Sequence, residues 1–358
     1  MICCEKCFRD TEIITLIKSN NTISTCEICK KEDVYIYDTD ENDALTPLFT
    51  DLIEIYSIKH TLPSGFPTVE TNLLKNDIME RWDIFNELTS GQIQQILINI
   101  CSSTYHDNPQ MFEEQLGIPE LYDNQFITKN SVLGDHTWNE FVDSIKRENR
   151  FHLDYFNKDI FSEFCKKVER PIKKDVIYYR ARINQGETEF KVNEMGVPPF
   201  PKVTSGRANP EGISVLYLSD AVKTTIYEVR AGANDVLSVG KFIAKKDLQI
   251  VDFTQFDKIS PFQVSSGLQH FLINKKHLQL ISNEIAKPIR KNDSSLEYIP
   301  TQYITDFIKS QGYEGVLYKS TLDCEGINLA IFNDKNFECM DVSQYIVEKI
   351  NYKFKKKT

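Results

Sequence analysis

Two cysteine pairs, Cys4-x2-Cys7 and Cys26-x2-Cys29, constrain this chain more tightly than any other feature. Four thiolates at that spacing can surround one tetrahedral ion only if the backbone between the pairs folds back on itself. With eighteen residues separating the pairs, the pattern is that of a four-thiolate zinc ribbon, a closed set that holds structural Zn2+ rather than a reactive one. Residues 1–37 are too few to bury an adequate core unaided, so the ion would supply their stability. Cys3 could replace Cys4 by a one-residue slip, at the cost of a poorer knuckle with three residues before Cys7. Cys101, Cys165, Cys324 and Cys339 are scattered and read as small buried apolar residues. The start, Met1-Ile2-Cys3-Cys4-Glu5-Lys6-Cys7, is too polar for a secretory signal, so thiols and metal ligands in a cytoplasmic protein are expected rather than disulfides.

The rest of the 358 residues divides by pattern. After a ribbon-closing strand at Val34–Tyr37 and an acidic run from Asp38 to Asp43, apolar residues recur at helical spacing over Leu48–Lys59, Asn72–Leu88, Ser90–Ile100, Thr137–Arg147 and Lys158–Val168. Arg170-Pro171 marks the change to strands. Strands are then expected at Val236–Ala244, Leu248–Phe253 and Gly326–Phe332, and helices near Val264–Lys287 and Tyr298–Gln311, giving an α+β chain of a small ribbon, a helical domain over 45–170 and a mixed, largely antiparallel domain over 171–350. A net charge of -10 argues against a general nucleic-acid or acidic-membrane binder. The one basic cluster, Lys353-Phe354-Lys355-Lys356-Lys357, reads as a solubilising end. No apolar run approaches the roughly 20 residues a membrane span needs.

Chemistry concentrates between Tyr178 and Glu228. Val176–Arg182 reads as a strand carrying Arg180, Gly206-Arg207-Ala208-Asn209-Pro210-Glu211-Gly212 as a polar turn, and Ser214–Ser219 as a second strand carrying Tyr217. Asp220 is expected to cap a helix from Ala221 to Arg230, with Glu228 about two turns inside it. Taken singly, each is an ordinary residue: a strand Arg or helix Glu is usually a solvated charge, Tyr217 a core aromatic, Ser320 a loop serine. Their order is what points to a pocket for an anionic, two-sided ligand. Arg182 and Arg230 read as structural or surface cations.

In that order the residues resemble the RES domain family, named for an Arg, a Glu and a Ser, whose members are NAD-cleaving relatives of the ADP-ribosyltransferases. Arg180 matches the family's first Arg, and Gly206–Gly212 its glycine-arginine-aromatic-asparagine loop, with Ala208 at the aromatic position. Tyr217 and Glu228 match the Tyr and Glu that follow, and Ser320 the Ser, with Lys319 where a proline is common. The likeness runs from near Ile172 to near Tyr345. It implies an ADP-ribosyltransferase-like fold in which two small packed sheets form a cleft. It also implies NAD+ as substrate, Arg180, Tyr217, Glu228 and Ser320 as catalytic residues, and Arg207, Asn209 and Asn328 as substrate-binding residues. Members resemble toxins or defence effectors, so an inhibitory antitoxin or regulatory partner is expected, and the helices before the domain resemble the HEPN-type region of some members.

A carboxylate suits this chemistry because losing nicotinamide leaves an oxocarbenium-like sugar, whose charge appears only at the transition state. Guanidinium groups suit a pyrophosphate. The acceptor, whether water, phosphate or a protein side chain, stays open, so protein ADP-ribosylation is an alternative to NAD hydrolysis or phosphorolysis. A dinucleotide held as a redox cofactor is disfavoured, because the glycine-rich fingerprint after the first strand is missing. The rival from another class is a HEPN-type ribonuclease using Arg147 and His152 of an Arg-x4-His motif, opposed by the net acidity; His152 packed beside Phe151 is the plainer reading.

Overall fold

The computed structural model describes residues 1–186, 188–287 and 294–350, and the Lys353–Lys357 cluster lies outside them. The chain divides into two compact units, one of Met1–Asp135 with Lys258–His277, the other of His136–Asp257 with the residues from Leu278 onward. No helix among the described residues is long and apolar enough to cross a membrane.

In the first unit, β1 (Ile2–Cys4), β2 (Ile23–Ser24) and β3 (Val34–Asp38) form an antiparallel sheet in the order β1-β3-β2. The Thr11–Ser19 helix between them starts where Asp10 accepts hydrogen bonds from the Glu12 and Ile13 N–H groups. β4 (Ser57–Ile58), β5 (Asn72–Leu73) and β6 (Gln115–Gly117) form a second small sheet, ordered β4-β6-β5. The Ser90–Ile100 helix forms as expected behind a reciprocal Thr89–Gln92 capping box. Two helical expectations are corrected. The first helix ends at Glu54 and gives way to β4, and in the Asn72–Leu88 stretch only Leu74–Asp77 is α-helical before Ile78–Trp82 widens into a π turn. Side chains anchor that turn: the Trp82 indole donates to the Tyr56 hydroxyl at 2.7 Å, Tyr56 donates to Asp77 at 2.6 Å, and Arg81 pairs with Asp77 at 2.7 Å.

The second unit is built on β7 (Glu169–Ile172), β8 (Ile177–Ile183), β9 (Leu216–Ser219), β10 (Val236–Ala244), β11 (Leu248–Asp252), β12 (Gly315–Lys319), β13 (Ile327–Ile331) and β14 (Phe337–Ile346). They join one sheet in the order β14-β10-β8-β9-β13-β12-β11-β7. Every neighbour is antiparallel except the β11–β12 pair. The expected pair of packed sheets is therefore one eight-stranded sheet, with a seam at β8–β9 where Tyr179 and Ser219 form the sole paired position.

Strand alternation then decides what faces where. Leu216 and Leu218 of β9, Leu317 of β12 and Leu329 and Ile331 of β13 join a buried cluster with Tyr178, Phe242 and Ile250. The intervening Tyr217 and Ser219, Tyr318, and Asn328 therefore point away from that cluster. A smaller apolar group of Ala181, Leu237 and Val239 receives Val222 and Ile226 from the Val222–Glu228 helix and Val229 from its C-terminal cap. Those three recur at the spacing of one helix face, which seats the helix against β8 and β10.

Candidate active site

Glu228 lies nearly two turns from the start of its helix, as expected, and is its last residue rather than an interior one. The expected capping role of Asp220 is also corrected: Ala221 occupies the N-cap, and Asp220 instead exchanges hydrogen bonds with Ile327 across β9 and β13, its carboxylate accepting at 3.0 Å and its N–H donating at 3.0 Å. With its carboxylate turned to the neighbouring strand, Asp220 does not reach the N–H groups at the helix start. The helix ends because Arg230 adopts φ 55°, the left-handed conformation that closes many helices. Thr225 locks it to the sheet by accepting the Ala181 N–H at 2.8 Å, and Thr224 donates to the buried Asp323 at 2.9 Å.

This seating presents the half-buried Glu228 carboxylate to two donors. Ser320 Oγ donates to Glu228 Oε1 at 2.6 Å, and Asn328 Nδ2 donates to the same oxygen at 2.8 Å. Ser320 Oγ accepts the Leu322 and Asp323 N–H groups at 3.2 and 3.1 Å, so its one proton is committed to Glu228. Among the described residues Oε2 accepts no hydrogen bond. Ser320 and Asn328 are each 5% exposed, which makes the pair a rigid clamp rather than a surface contact.

A cavity of 260 Å³ lies against this carboxylate, walled by Arg180, Arg207, Tyr217, Tyr298, Tyr318 and Asn328 among others. Arg180 contributes a buried Nη1 that has no hydrogen-bond partner among the described residues. Burial pushes its guanidinium down to about 10, and the nearby Arg182 adds to the effect. Near neutral pH the group stays cationic, so the cost of burying it is relieved only by an anion or acceptor entering the cavity. Arg182 is structural, stacked over Phe190 at 5.1 Å and donating to the Gly196 carbonyl at 2.6 Å.

The Gly206–Gly212 loop is held from three sides. The half-buried Tyr217 hydroxyl accepts the Ala208 N–H at 2.9 Å and donates to Asn209 Oδ1 at 2.7 Å, while Asn209 Nδ2 donates to the Thr204 and Pro210 carbonyls, both at 3.0 Å. Gln302 Nε2 reaches the Ser205 hydroxyl and the Gly206 and Asn209 carbonyls at 2.8 to 2.9 Å. Thr301 donates to the Arg207 carbonyl at 2.7 Å. Asn209 is thus a loop brace whose amide is committed inside the loop, and Arg207 Nη1 donates to the Ile285 carbonyl at 3.0 Å and to the Lys287 carbonyl beyond the end of the Leu268–Ala286 helix. A Cβ on Gly206 would meet Asn209 Oδ1 and the Tyr217 hydroxyl, each at 2.6 Å. Gly206→Ala should therefore lower the unfolding free energy by about 1–3 kcal/mol, read by urea denaturation; an unchanged midpoint would show that the loop is not packed this way.

The structure brings Arg180, Arg207, Tyr217, Glu228 and Asn328 to one cavity, with Ser320 bonded to Glu228 behind it. Tyr298, Tyr318 and Ser219 line the same cavity without having been singled out in the sequence. Arg147 and His152 are exposed; the Arg147 guanidinium lies 3.7 Å from Asp143, and the His152 N–H donates to Asn149. Phe151 is 76% exposed, so His152 does not pack beside it in a core.

Far along the chain, Cys4, Cys7, Cys26 and Cys29 place their sulfurs within 4.8 Å of one another, with Cys4–Cys7 at 3.8 Å, Cys4–Cys29 at 3.5 Å and Cys7–Cys26 at 3.6 Å. Tetrahedral Zn–S bonds of about 2.3 Å require sulfurs about 3.8 Å apart, so the set fits a metal ion. Cys3 belongs to the opposite side of β1, paired with Tyr37 and outside the group, which settles the register in favour of Cys4. Hydrogen bonds from Cys4 and Cys7 hold the Cys26 thiol far below its ordinary range. Cys101 and Cys165 are buried as expected, whereas Cys324 is exposed and Cys339 half-buried.

The family model for the RES domain matches residues 177–355, half of the chain. Among solved structures, the crystal structure of the Mycobacterium tuberculosis MbcT-MbcA toxin-antitoxin complex is similar at 11% identity and a TM-score of 0.32, covering 51% of this chain and 92% of that one. No curated protein matched the chain.

Proposed function

Since this chain belongs to the RES domain family, we propose that it cleaves the bond between nicotinamide and ribose in NAD+, with Glu228 as the group that steadies the reacting sugar. One observation carries the reading: a carboxylate clamped by Ser320 and Asn328 faces a cavity that also holds the buried Nη1 of Arg180, which has no partner among the described residues. As the glycosidic bond breaks, its electron pair goes to the pyridinium nitrogen and neutralises it, leaving positive charge on the ribose. A preorganised carboxylate stabilises that charge where it develops. The cation is then quenched by an acceptor: water yields ADP-ribose and a proton, phosphate a sugar phosphate, and a protein side chain an ADP-ribosylated protein.

Arg180 is the cation suited to hold a phosphate, because its Nη1 lacks a partner among the described residues, whereas Arg207 already donates to main-chain carbonyls. The tyrosine walls hold the base and sugar and exclude water. Asn209 acts on substrate only through the loop it braces, and Asn328 through Glu228. A toxin or defence role fits an activity that depletes NAD, with an inhibitory partner protein restraining it. We further propose that the four clustered thiolates hold one structural zinc ion.

Incubating the purified chain with NAD+, with and without phosphate, and following nicotinamide together with the ribose-containing product tests the reading. Nicotinamide should appear in stoichiometric amount with one of the three products named above. Intact NAD+ under both conditions would refute it.

A further inference from the structure

Asn328 holds Glu228, and Asn328 is itself held. Ser219 Oγ donates to Asn328 Oδ1 at 2.9 Å, and Ser219 is 3% exposed. In the sheet, Ser219 pairs in register with Asn328, which pairs with Tyr318, so the three side chains share one face, and all three line the cavity. A carboxamide is nearly symmetric in shape, and flipping it would turn its oxygen toward the Glu228 carboxylate. The Glu228 carboxylate, which only accepts, keeps the Nδ2 end toward itself, and the Ser219 hydroxyl anchors the oxygen end by donating to it. Ser219 also stands at the β8–β9 seam, where it forms the sole paired position with Tyr179, so strand pairing on that side gives it little support.

We propose that Ser219 is a positioning residue: acting through the Asn328 carboxamide, it fixes the direction in which the Glu228 carboxylate meets the substrate. This rests on the NAD-cleaving reading above. The chain Ser219–Asn328–Glu228 is polarised one way throughout, each donor pointing toward the carboxylate, and Ser320 closes it from the other side. Asn328 without Ser219 would keep one good hydrogen bond and leave a buried carbonyl oxygen unsatisfied, which the side chain relieves by moving.

Ser219→Ala removes one buried oxygen and little volume. The kcat for nicotinamide release should fall about tenfold with KM changed by less than about twofold, and Ser219→Thr, which keeps the hydroxyl, should restore most of the loss. Ser219→Cys, a weaker donor, should fall between them and serves if the alanine variant does not fold. The Asn328 side-chain amide protons, observed by NMR of asparagine-labelled protein, should exchange faster with solvent in Ser219→Ala than in the wild type. An unchanged kcat, or a loss that Ser219→Thr fails to restore, overturns the proposal. If the wild type releases no nicotinamide, the NAD reading fails separately; unchanged amide exchange in Ser219→Ala then overturns the positioning role as well, and accelerated exchange supports the hold on Asn328.

Discussion

Glu228→Gln should lower the kcat for nicotinamide release by about 10³-fold while KM for NAD+ changes by less than about threefold. The substitution is unusually clean here because both hydrogen bonds to Glu228 fall on one oxygen and both come from donors. A glutamine carbonyl can accept from Ser320 and Asn328 just as Oε1 does, so the clamp, the helix end and the cavity walls persist and only the charge is lost. A group that stabilises charge present only at the transition state shows in kcat rather than in affinity. Glu228→Ala would confuse the matter, because it leaves the Ser320 and Asn328 donors buried without an acceptor, at about 1–3 kcal/mol of stability each. Equal effects of the two substitutions on folding would remove the clamp, and a Glu228→Gln variant that turns over normally would remove the carboxylate from the chemistry.

The second large effect concerns the thiolate cluster. Structural zinc sites contribute apparent binding energies of about 10–16 kcal/mol, all of it available only to the folded segment. Elemental analysis should find one zinc per chain, and a strong chelator or Cys26→Ser should expose residues 1–38 to limited proteolysis and lower the melting temperature of the first transition. Chelation that leaves both unchanged, or protein folded without metal, would mean that the cluster is four free thiols packed together. Regular pairing near the site is slight, since β1 and β2 are three and two residues long and both residues of β2 are exposed.

What could be read from the chain follows the range of the interactions involved. The Ser90–Ile100 helix and the strands β9 and β10 were legible because apolar spacing and strand alternation are local. The order Arg180, Gly206–Gly212, Tyr217, Glu228 was legible because those residues lie within about fifty positions of one another and the turn chemistry sits between them. The π turn at Ile78–Trp82 was not, because five residues are too few for the apolar spacing to separate α from π geometry and a buried Tyr56–Asp77–Trp82 network chooses between them. Asp220 looked like a helix cap, since nothing nearby shows that Ile327 will compete for it from 107 residues away. Ser219 and Asn328 lie 109 residues apart, and Gln302 lies 96 from the loop carbonyl of Gly206. A polar residue whose partner is set by sheet order carries no local mark of its role. Asn209 illustrates the converse: its place in the loop motif was visible, but only the fold shows that its amide turns inward to the loop.

The central claim, that the Glu228 carboxylate faces the nicotinamide-bearing ribose, is tested most directly by a crystal structure of Glu228→Gln with NAD+ bound. The substituted amide should lie about 3 Å from a hydroxyl of that ribose, with Arg180 on a phosphate oxygen. NAD+ found outside this cavity, or bound with its adenosine end against residue 228, would contradict it.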